Sequence, residues 1–295
     1  MPSRARKALI AAAIGVGLLV TTWYCAFHIG FVRRADRSIL DGFVGLHRPR
    51  LNRITNFVAQ LCDPHPFVFL AAIPVLVAIL RRRPRVAVTV GLIMLGASFT
   101  TQLLKPLLAA SRWALPEHPL TSGFSAPHAL VLTASWPSGH ATAAMSLALC
   151  AVIAAPARLR PAVGAAMAAF ALAVCYSFLE LAWHFPSDVL GGFLVATVWT
   201  LLGVAGLWWL DARRAVRRRE LSPTGPAQVS VAEALVPMGV LMLGALLFAA
   251  VVALARPHAV VAYASTHAAF MVGAALIAVV GVMLATAATL VLRRG

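Results

Sequence analysis

Charged side chains are scarce in this sequence: Asp, Glu, Lys and Arg make up 12% of its 295 residues, whereas hydrophobic residues make up 61%. The mean hydropathy of +0.87 is well above that of a soluble enzyme. Long apolar runs with few charges are typical of helices that cross a bilayer. The composition therefore excludes a soluble globular domain and predicts an all-α, polytopic transmembrane helix bundle.

Acidic residues are the rarest of the charged types, with 9 Asp and Glu against 25 Lys and Arg, for a net charge of +16. A charge of this size can indicate nucleic-acid binding. Here, however, the arginines occur in short clusters between apolar runs, which is how membrane orientation is encoded. We therefore predict the lipid bilayer as a partner and no nucleic acid, and the oligomeric state stays open.

Cysteine is also scarce, since the chain has four and no CxxC pair. Three of them lie within apolar runs and Cys62 lies in a loop, and no His/Cys spacing resembles a metal site. We predict no disulfide, no metal site and no cofactor.

Eight apolar runs predict about eight membrane spans. The first six, with their loops, form a predicted domain of residues 1–210, followed by a basic linker (211–232) and two additional helices within residues 233–295. Residues 31–66 form a mixed loop in which apolar residues recur at the spacing of an amphipathic interfacial helix. The predicted spans are about 8–30, 67–80, 86–104, 140–155, 162–183, 189–210, 234–255 and 267–292.

The distribution of Lys and Arg predicts the orientation of these spans. If the N-terminus is cytoplasmic, the cytoplasmic segments hold 16 basic residues and the opposite segments hold 9. The positive-inside rule therefore favours cytoplasmic N- and C-termini in the plasma (inner) membrane. The loops after spans three and five, and the start of span four, then lie at the outer face.

The stretch Ala134–Cys150 begins with the polar tetrapeptide Pro-Ser-Gly-His and continues as an apolar helical run. Ser138 is a good N-cap, and Gly139 lets a backbone approach a ligand closely. A helix start of this kind can bind a phosphate, with His140 beside it. The alternative is a simple helix cap with His140 at the lipid headgroup level.

Three separated segments are predicted to meet at one membrane face. Lys105 and Arg112 supply two cations, residues 137–140 supply the helix start, and residues 184–188 supply His184 and Asp188. Two histidines, a carboxylate and two cations suit phosphoryl transfer, in which positioning and charge stabilisation do most of the work. One histidine can attack phosphorus while the carboxylate orients it, and the other can protonate the leaving oxygen, with no metal required.

These segments resemble the type 2 phosphatidic acid phosphatase (PAP2) family, whose three motifs read K-x6-R-P, P-S-G-H and S-R-x5-H-x3-D. The resemblance covers roughly residues 86–210 and implies a six-helix core that removes phosphate from membrane lipids. It implies that His184 is the nucleophile, Asp188 its orienting partner and His140 the general acid. The phosphate-binding residues that it implies are Lys105, Arg112, Ser138 and Gly139.

Two positions depart from the family motifs, because Trp113 replaces a proline and Phe178 replaces an arginine. A guanidinium clamps phosphoryl oxygens and a phenyl ring cannot. Glu180 lies one helical turn before His184 and is predicted either to act at the site or to form a structural ion pair. Ser177, Phe178 and Glu180 are therefore candidate modulators.

The leading hypothesis is a metal-independent lipid phosphatase that acts on a polyprenyl diphosphate, phosphatidate or phosphatidylglycerophosphate through a phosphohistidine. One alternative is a transferase that passes the phosphoryl or phospholipid group to an alcohol. Another is a non-catalytic protein that binds a phosphorylated lipid, which the absence of the third-motif arginine suggests. The motifs contact only the phosphate, so they do not select the lipid.

Overall fold

The computed structural model describes residues 1–108, 135–217 and 230–292, and this part of the chain is helical without strands. It holds eleven α-helices and a short 3-10 turn at Ala157–Leu159. The helices are α1 (Ser3–His28), α2 (Gly30–Gly45), α3 (Asn52–Gln60), α4 (Pro64–Leu80), α5 (Pro84–Leu108), α6 (Gly139–Ala154), α7 (Arg160–Glu180), α8 (Pro186–Arg217), α9 (Val231–Ala255), α10 (Pro257–Thr266) and α11 (Ala268–Leu292).

The prediction of an all-α transmembrane bundle is confirmed. Within the described ranges, six helices (α1, α5, α7, α8, α9 and α11) are long and apolar enough to cross a membrane. The pair α3 and α4 meets the same criteria together, with a bend of 58° between them, and α6 is apolar but shorter. A helix thus occupies each of the eight predicted spans.

The boundaries differ from the predicted ones in three places. Residues 31–66 form two helices, α2 and α3, because a turn intervenes in which the N–H of Leu51 donates to the carbonyl of Arg48 at 2.9 Å. Helix α5 continues to Leu108, so Lys105 lies in its last turn. Helix α8 continues to Arg217, through the first seven residues of the predicted linker, and the guanidinium of Arg213 lies 3.7 Å above the ring of Trp209 there.

Helix α6 lies at the centre of the bundle. Thirteen of its 16 residues are buried, which explains why it is apolar on all sides. Helices α4, α5, α7, α8 and α11 surround it, and small side chains along α6 let them pack closely. The hydroxyl of Thr101 on α5 donates to that of Thr142 on α6 at 3.1 Å.

Helix α11 packs against α2 and α7. The hydroxyl of Tyr176 donates to the carbonyl of Ala274 at 2.7 Å, and Arg160 donates to the carbonyl of Leu292. A Cβ at Gly273 would lie 2.5 Å from a side-chain atom of Ile39, so the helices need a glycine there to approach this closely. The division of the chain at residues 211–232 stays a prediction.

The antiparallel course of the helices creates two distinct ends. One end holds the starts of α4, α6 and α8 and the ends of α5 and α7, and we call it the motif end. The other holds the ends of α4 and α6 and the starts of α1, α5 and α7, and we call it the arginine end because Arg4, Arg83 and Arg160 lie there.

Candidate functional site

The start of α6 carries the Pro-Ser-Gly-His tetrapeptide at the motif end. The N–H of Ala141 donates to Oγ of Ser138 at 3.2 Å, so Ser138 is the N-cap, as predicted, and its side chain is buried. The N–H of Ser138 donates to the carbonyl of Asp188 at 3.0 Å. The second and third motif segments are thus joined directly by a backbone hydrogen bond.

Two glycines of α8 allow this close approach. A Cβ at Gly192 would lie 2.7 Å from the carbonyl oxygen of Ser138 and 2.9 Å from the backbone nitrogen of Thr142. A Cβ at Gly191 would lie 2.9 Å from Nε1 of Trp136. Because the atoms facing Gly192 belong to the backbone, they cannot move aside without separating α6 from α8.

We expect Gly192→Ala to destabilise the protein by about 1–3 kcal/mol, the usual cost of overpacking, and to lower activity by displacing Ser138. Gly206→Ala is the matched control on the same helix, since no described atom lies within 4 Å of a Cβ there. That control should be neutral or stabilising by up to about 1 kcal/mol. Thermal unfolding of both variants in detergent checks this prediction, and equal Tm values would contradict it.

His184 lies between α7 and α8, Asp188 lies in the first turn of α8, and both are almost fully buried. Nδ1 of His184 is 3.5 Å from Oδ2 of Asp188, which is longer than a hydrogen bond, so the contact is electrostatic. The N–H of Phe185 donates to the same Asp188 oxygen at 2.9 Å and holds the carboxylate in place. Burial lowers the pKa of His184 from 6.5 to about 4, while Asp188 acts in the opposite direction and raises it.

The second histidine faces the first. The ring centroids of His140 and His184 are 5.7 Å apart. Nε2 of His140 lies 2.8 Å from Oδ1 of Asp63, a residue that we did not predict for the site. This contact orients His140 and leaves its Nδ1 available for a ligand.

Phe178 packs against both histidines. Its ring centroid is 5.1 Å from that of His184 and 5.9 Å from that of His140, and the residue is 0% exposed. The position that carries arginine in the third motif therefore does face both imidazoles. Here an apolar ring fills that space.

Lys105 supplies a cation at the helix start. A Cβ at Gly139 would lie 3.7 Å from Nζ of Lys105 and 3.9 Å from Nε2 of Gln102. The ammonium group therefore lies directly above Gly139, where the backbone N–H groups of α6 also concentrate positive potential. Arg112, its predicted partner in phosphate binding, and Trp113 lie outside the described residues.

A groove of about 810 Å³ runs between α4 and α5 and reaches this site. Lys105, Gly139 and His140 line one end of it. The remainder is mostly apolar, with Phe67, Val75 and Leu95 among the side chains. Its shape and polarity match a ligand with one anionic end and a hydrocarbon chain.

The candidate modulators occupy different environments. Oε1 of Glu180 lies 3.3 Å from Nδ1 of His47, and whether Glu180 acts at the site or only in this contact stays a prediction. Ser177 is buried on α7, and its carbonyl accepts a hydrogen bond from the N–H of Leu181 at 3.1 Å.

Asp36 on α2 is a second carboxylate that the motifs did not indicate. Its two oxygens accept hydrogen bonds from the N–H of Ser187 at 2.8 Å and from the hydroxyl of Ser187 at 2.6 Å. It thus binds the first turn of α8 next to Asp188 and holds the third motif segment against α2. Its place in an amphipathic helix was a weak signal, since surface acids are common there.

Known proteins resemble the part of the chain that carries the two histidines. Residues 86–214 match the family model of the PAP2 superfamily, which confirms the resemblance that the motifs indicate. Among solved structures, the chain is similar to the first transmembrane PAP2 type phosphatidylglycerolphosphate phosphatase from Bacillus subtilis, at 18% sequence identity and a TM-score of 0.49. That similarity covers 69% of this chain and 98% of the other. No curated protein matches the chain at a significant level.

Proposed function

We propose that this chain, whose residues 86–214 match the PAP2 superfamily model, hydrolyses a phosphate ester or diphosphate of a membrane lipid. The observation that carries the proposal is the pair of imidazoles of His140 and His184, 5.7 Å apart beside the start of α6. Lys105 above Gly139 supports it, because a phosphate held there meets both a cation and helix N–H groups.

In the proposed mechanism, His184 attacks phosphorus. Nδ1 faces Asp188, so Nε2 is the nitrogen that forms the N–P bond as the P–O bond to the lipid breaks. His140 gives its proton to the departing lipid oxygen and then takes one from the water that cleaves the N–P bond. Neutral His184 is returned and inorganic phosphate leaves.

The phosphoryl oxygens are bound by the cations and donors at the start of α6. Lys105 and the backbone of Gly139, with Ser138 and Arg112, are the proposed phosphate-binding groups. Asp63 orients His140, and Phe178 packs against both imidazoles. The apolar groove between α4 and α5 takes the hydrocarbon part of the lipid.

We further propose that the motif end faces the outside of the plasma (inner) membrane, with both termini cytoplasmic. The Lys and Arg distribution supports this orientation. Arg4, Arg83 and Arg160 share the arginine end, which would then be cytoplasmic. The substrate would be a lipid of the outer leaflet.

The function is tested by measuring phosphate release from purified protein with three substrates: phosphatidate, phosphatidylglycerophosphate and a polyprenyl diphosphate. We expect turnover of at least one of them, and a rate that excess EDTA leaves nearly unchanged. Consumption of the lipid phosphate only when an alcohol is added, with the phosphate recovered as an ester of that alcohol and not as inorganic phosphate, would favour the transferase. Lipid binding without turnover would favour the non-catalytic alternative, and EDTA inhibition reversed by a divalent ion would contradict the metal-free mechanism.

The pH dependence of kcat/KM should show the lowered pKa of His184. Because only the neutral imidazole attacks, the acid limb due to His184 should lie near pH 4 rather than near pH 6.5. Asp188 raises this pKa, so Asp188→Asn should shift the limb to still lower pH while reducing the rate. Ionisation of the substrate affects the wild type and Asp188→Asn equally, so it cancels in the ratio of their pH profiles. An acid limb that moved to higher pH in Asp188→Asn would contradict the assignment of this limb to His184.

A further inference from the structure

The arginine end of the bundle contains a basic pocket of about 520 Å³ that the phosphatase chemistry does not use. It is bounded by five helices, α1, α5, α6, α8 and α11, and by the start of α7. Asp211 is the one carboxylate among its lining residues. Its basic lining residues are Arg4, Arg82, Arg83, Arg85, Arg160 and Arg214.

Arg83 lies close enough to other charged groups at this end of the bundle to be affected by them. Desolvation, and then the charge of Arg81, lower the pKa of Arg83, whereas Asp211 raises it. Arg85 lies 3.6 Å from Asp211, and Arg160 is 4% exposed. Positive charges held together in a partly buried pocket are stabilised when an anion binds among them.

An apolar cavity of about 560 Å³ continues from this pocket between α1, α8 and α11. The two share Arg4, Val204, Trp208 and Leu292 as lining residues. Leu149, Leu201 and Leu284 line the apolar part, deeper along the bundle. Arginines that only set the membrane orientation need to lie in a loop, but they do not need an apolar cavity beside them. The cavity therefore indicates a further role for this cluster of arginines.

From this combination we infer that the arginine end binds an anionic phospholipid of the leaflet opposite to the catalytic site. The phosphodiester headgroup lies among the arginines, and an acyl chain lies in the apolar cavity between α1, α8 and α11. Basic pockets between transmembrane helices are suited to such headgroups. The site is separate from His140 and His184, because α5, α6, α7 and α8 each have one end at the pocket and the other at the histidines.

Trp208 lines both cavities and supplies a probe. Phosphatidylglycerol with brominated acyl chains, which quench tryptophan fluorescence, is titrated into the purified full chain in detergent micelles. The quenching of Trp208 is the quenching of the wild type minus that of Trp208→Phe. We expect saturable quenching by brominated phosphatidylglycerol and little by brominated phosphatidylcholine. Equal quenching by the two lipids would overturn the inference, as would loss of quenching on adding inorganic phosphate at the lipid's concentration, which would indicate a site for a soluble anion.

Substitutions in the pocket should change the affinity in opposite directions. Arg4→Gln and Arg83→Gln should each weaken binding by about fivefold. Asp211→Asn should strengthen it, which damage to the fold would not do. Arg158→Gln is the matched control, since Arg158 is exposed at the same end and outside the pocket; a loss in this control equal to that in Arg83→Gln would contradict a defined site.

Discussion

His184→Ala should reduce kcat by about 10⁴-fold or more, because the variant lacks the nitrogen that we propose forms the N–P bond. Asp188→Asn should retain slow turnover, lower by roughly 10²- to 10⁴-fold, since it loses only the charge and orientation that Asp188 gives to His184. Initial rates of phosphate release in detergent measure both effects.

His258→Ala is a suitable control for this pair, because His258 is exposed on α10 and takes no part in the site. Its rate should equal that of the wild type. Chemical quench of the wild type with a ³²P-labelled substrate should trap an acid-labile, base-stable phosphoprotein that His184→Ala does not form. Full activity in His184→Ala would exclude the proposed nucleophile.

Phe178→Arg should raise kcat/KM by roughly tenfold to a hundredfold. A guanidinium at this position would face both imidazoles, where the phosphoryl oxygens are proposed to bind, and could add one charge-assisted hydrogen bond of about 1.5–3 kcal/mol. Glu180, the nearest acid along the chain, lies 3.3 Å from His47 and could also pair with the new cation, so Phe178→Arg is measured with and without Glu180→Gln. Kinetics with the best lipid substrate measure the gain.

The same substitution should lower the Tm of the substrate-free protein, since position 178 is fully buried among apolar neighbours. Phe178→Leu keeps an apolar side chain without a charge and should show no gain in kcat/KM. A folded Phe178→Arg with reduced kcat/KM would show that the aromatic ring itself is needed to orient the histidines. An inactive wild type that becomes active only with this arginine would favour the non-catalytic alternative.

Features encoded locally were predictable from the sequence. The eight apolar runs appear as helices, and Ser138 caps α6, because hydrophobic length and N-cap chemistry depend on neighbouring residues. The turn between α2 and α3 was missed, because the apolar spacing continues on both sides of it. The extension of α8 to Arg217 was missed because a charged stretch at a helix end has no hydropathy signal.

The partners of the site residues were beyond local reasoning. Asp63 lies 77 positions from His140, and Asp36 lies 151 positions from Ser187. Both carboxylates belong to a segment that we predicted only as an interfacial loop. Only the packing of α2 and α4 at the motif end brings Asp36 and Asp63 to the site, and no sequence spacing predicts that packing. Asp63 stands directly before Pro64, a helix-start pattern that does place it at the motif end.

The hydrogen bond from the Ser138 N–H to the Asp188 carbonyl, with Gly192 against the same backbone, has a consequence for protein engineering. The proposed phosphate-binding turn (137–140) and the proposed nucleophile segment (184–188) form one structural unit, although 43 residues of sequence (141–183) separate them. A chimera could take residues 135–155 from one relative and residues 184–195 from another. The two backbones would then have to fit together at the contact between Gly192 and Ser138, where there is no room for even a methyl group. Recombination within this unit should therefore yield inactive proteins more often than exchange of α9–α11, and crossover points belong outside residues 135–195.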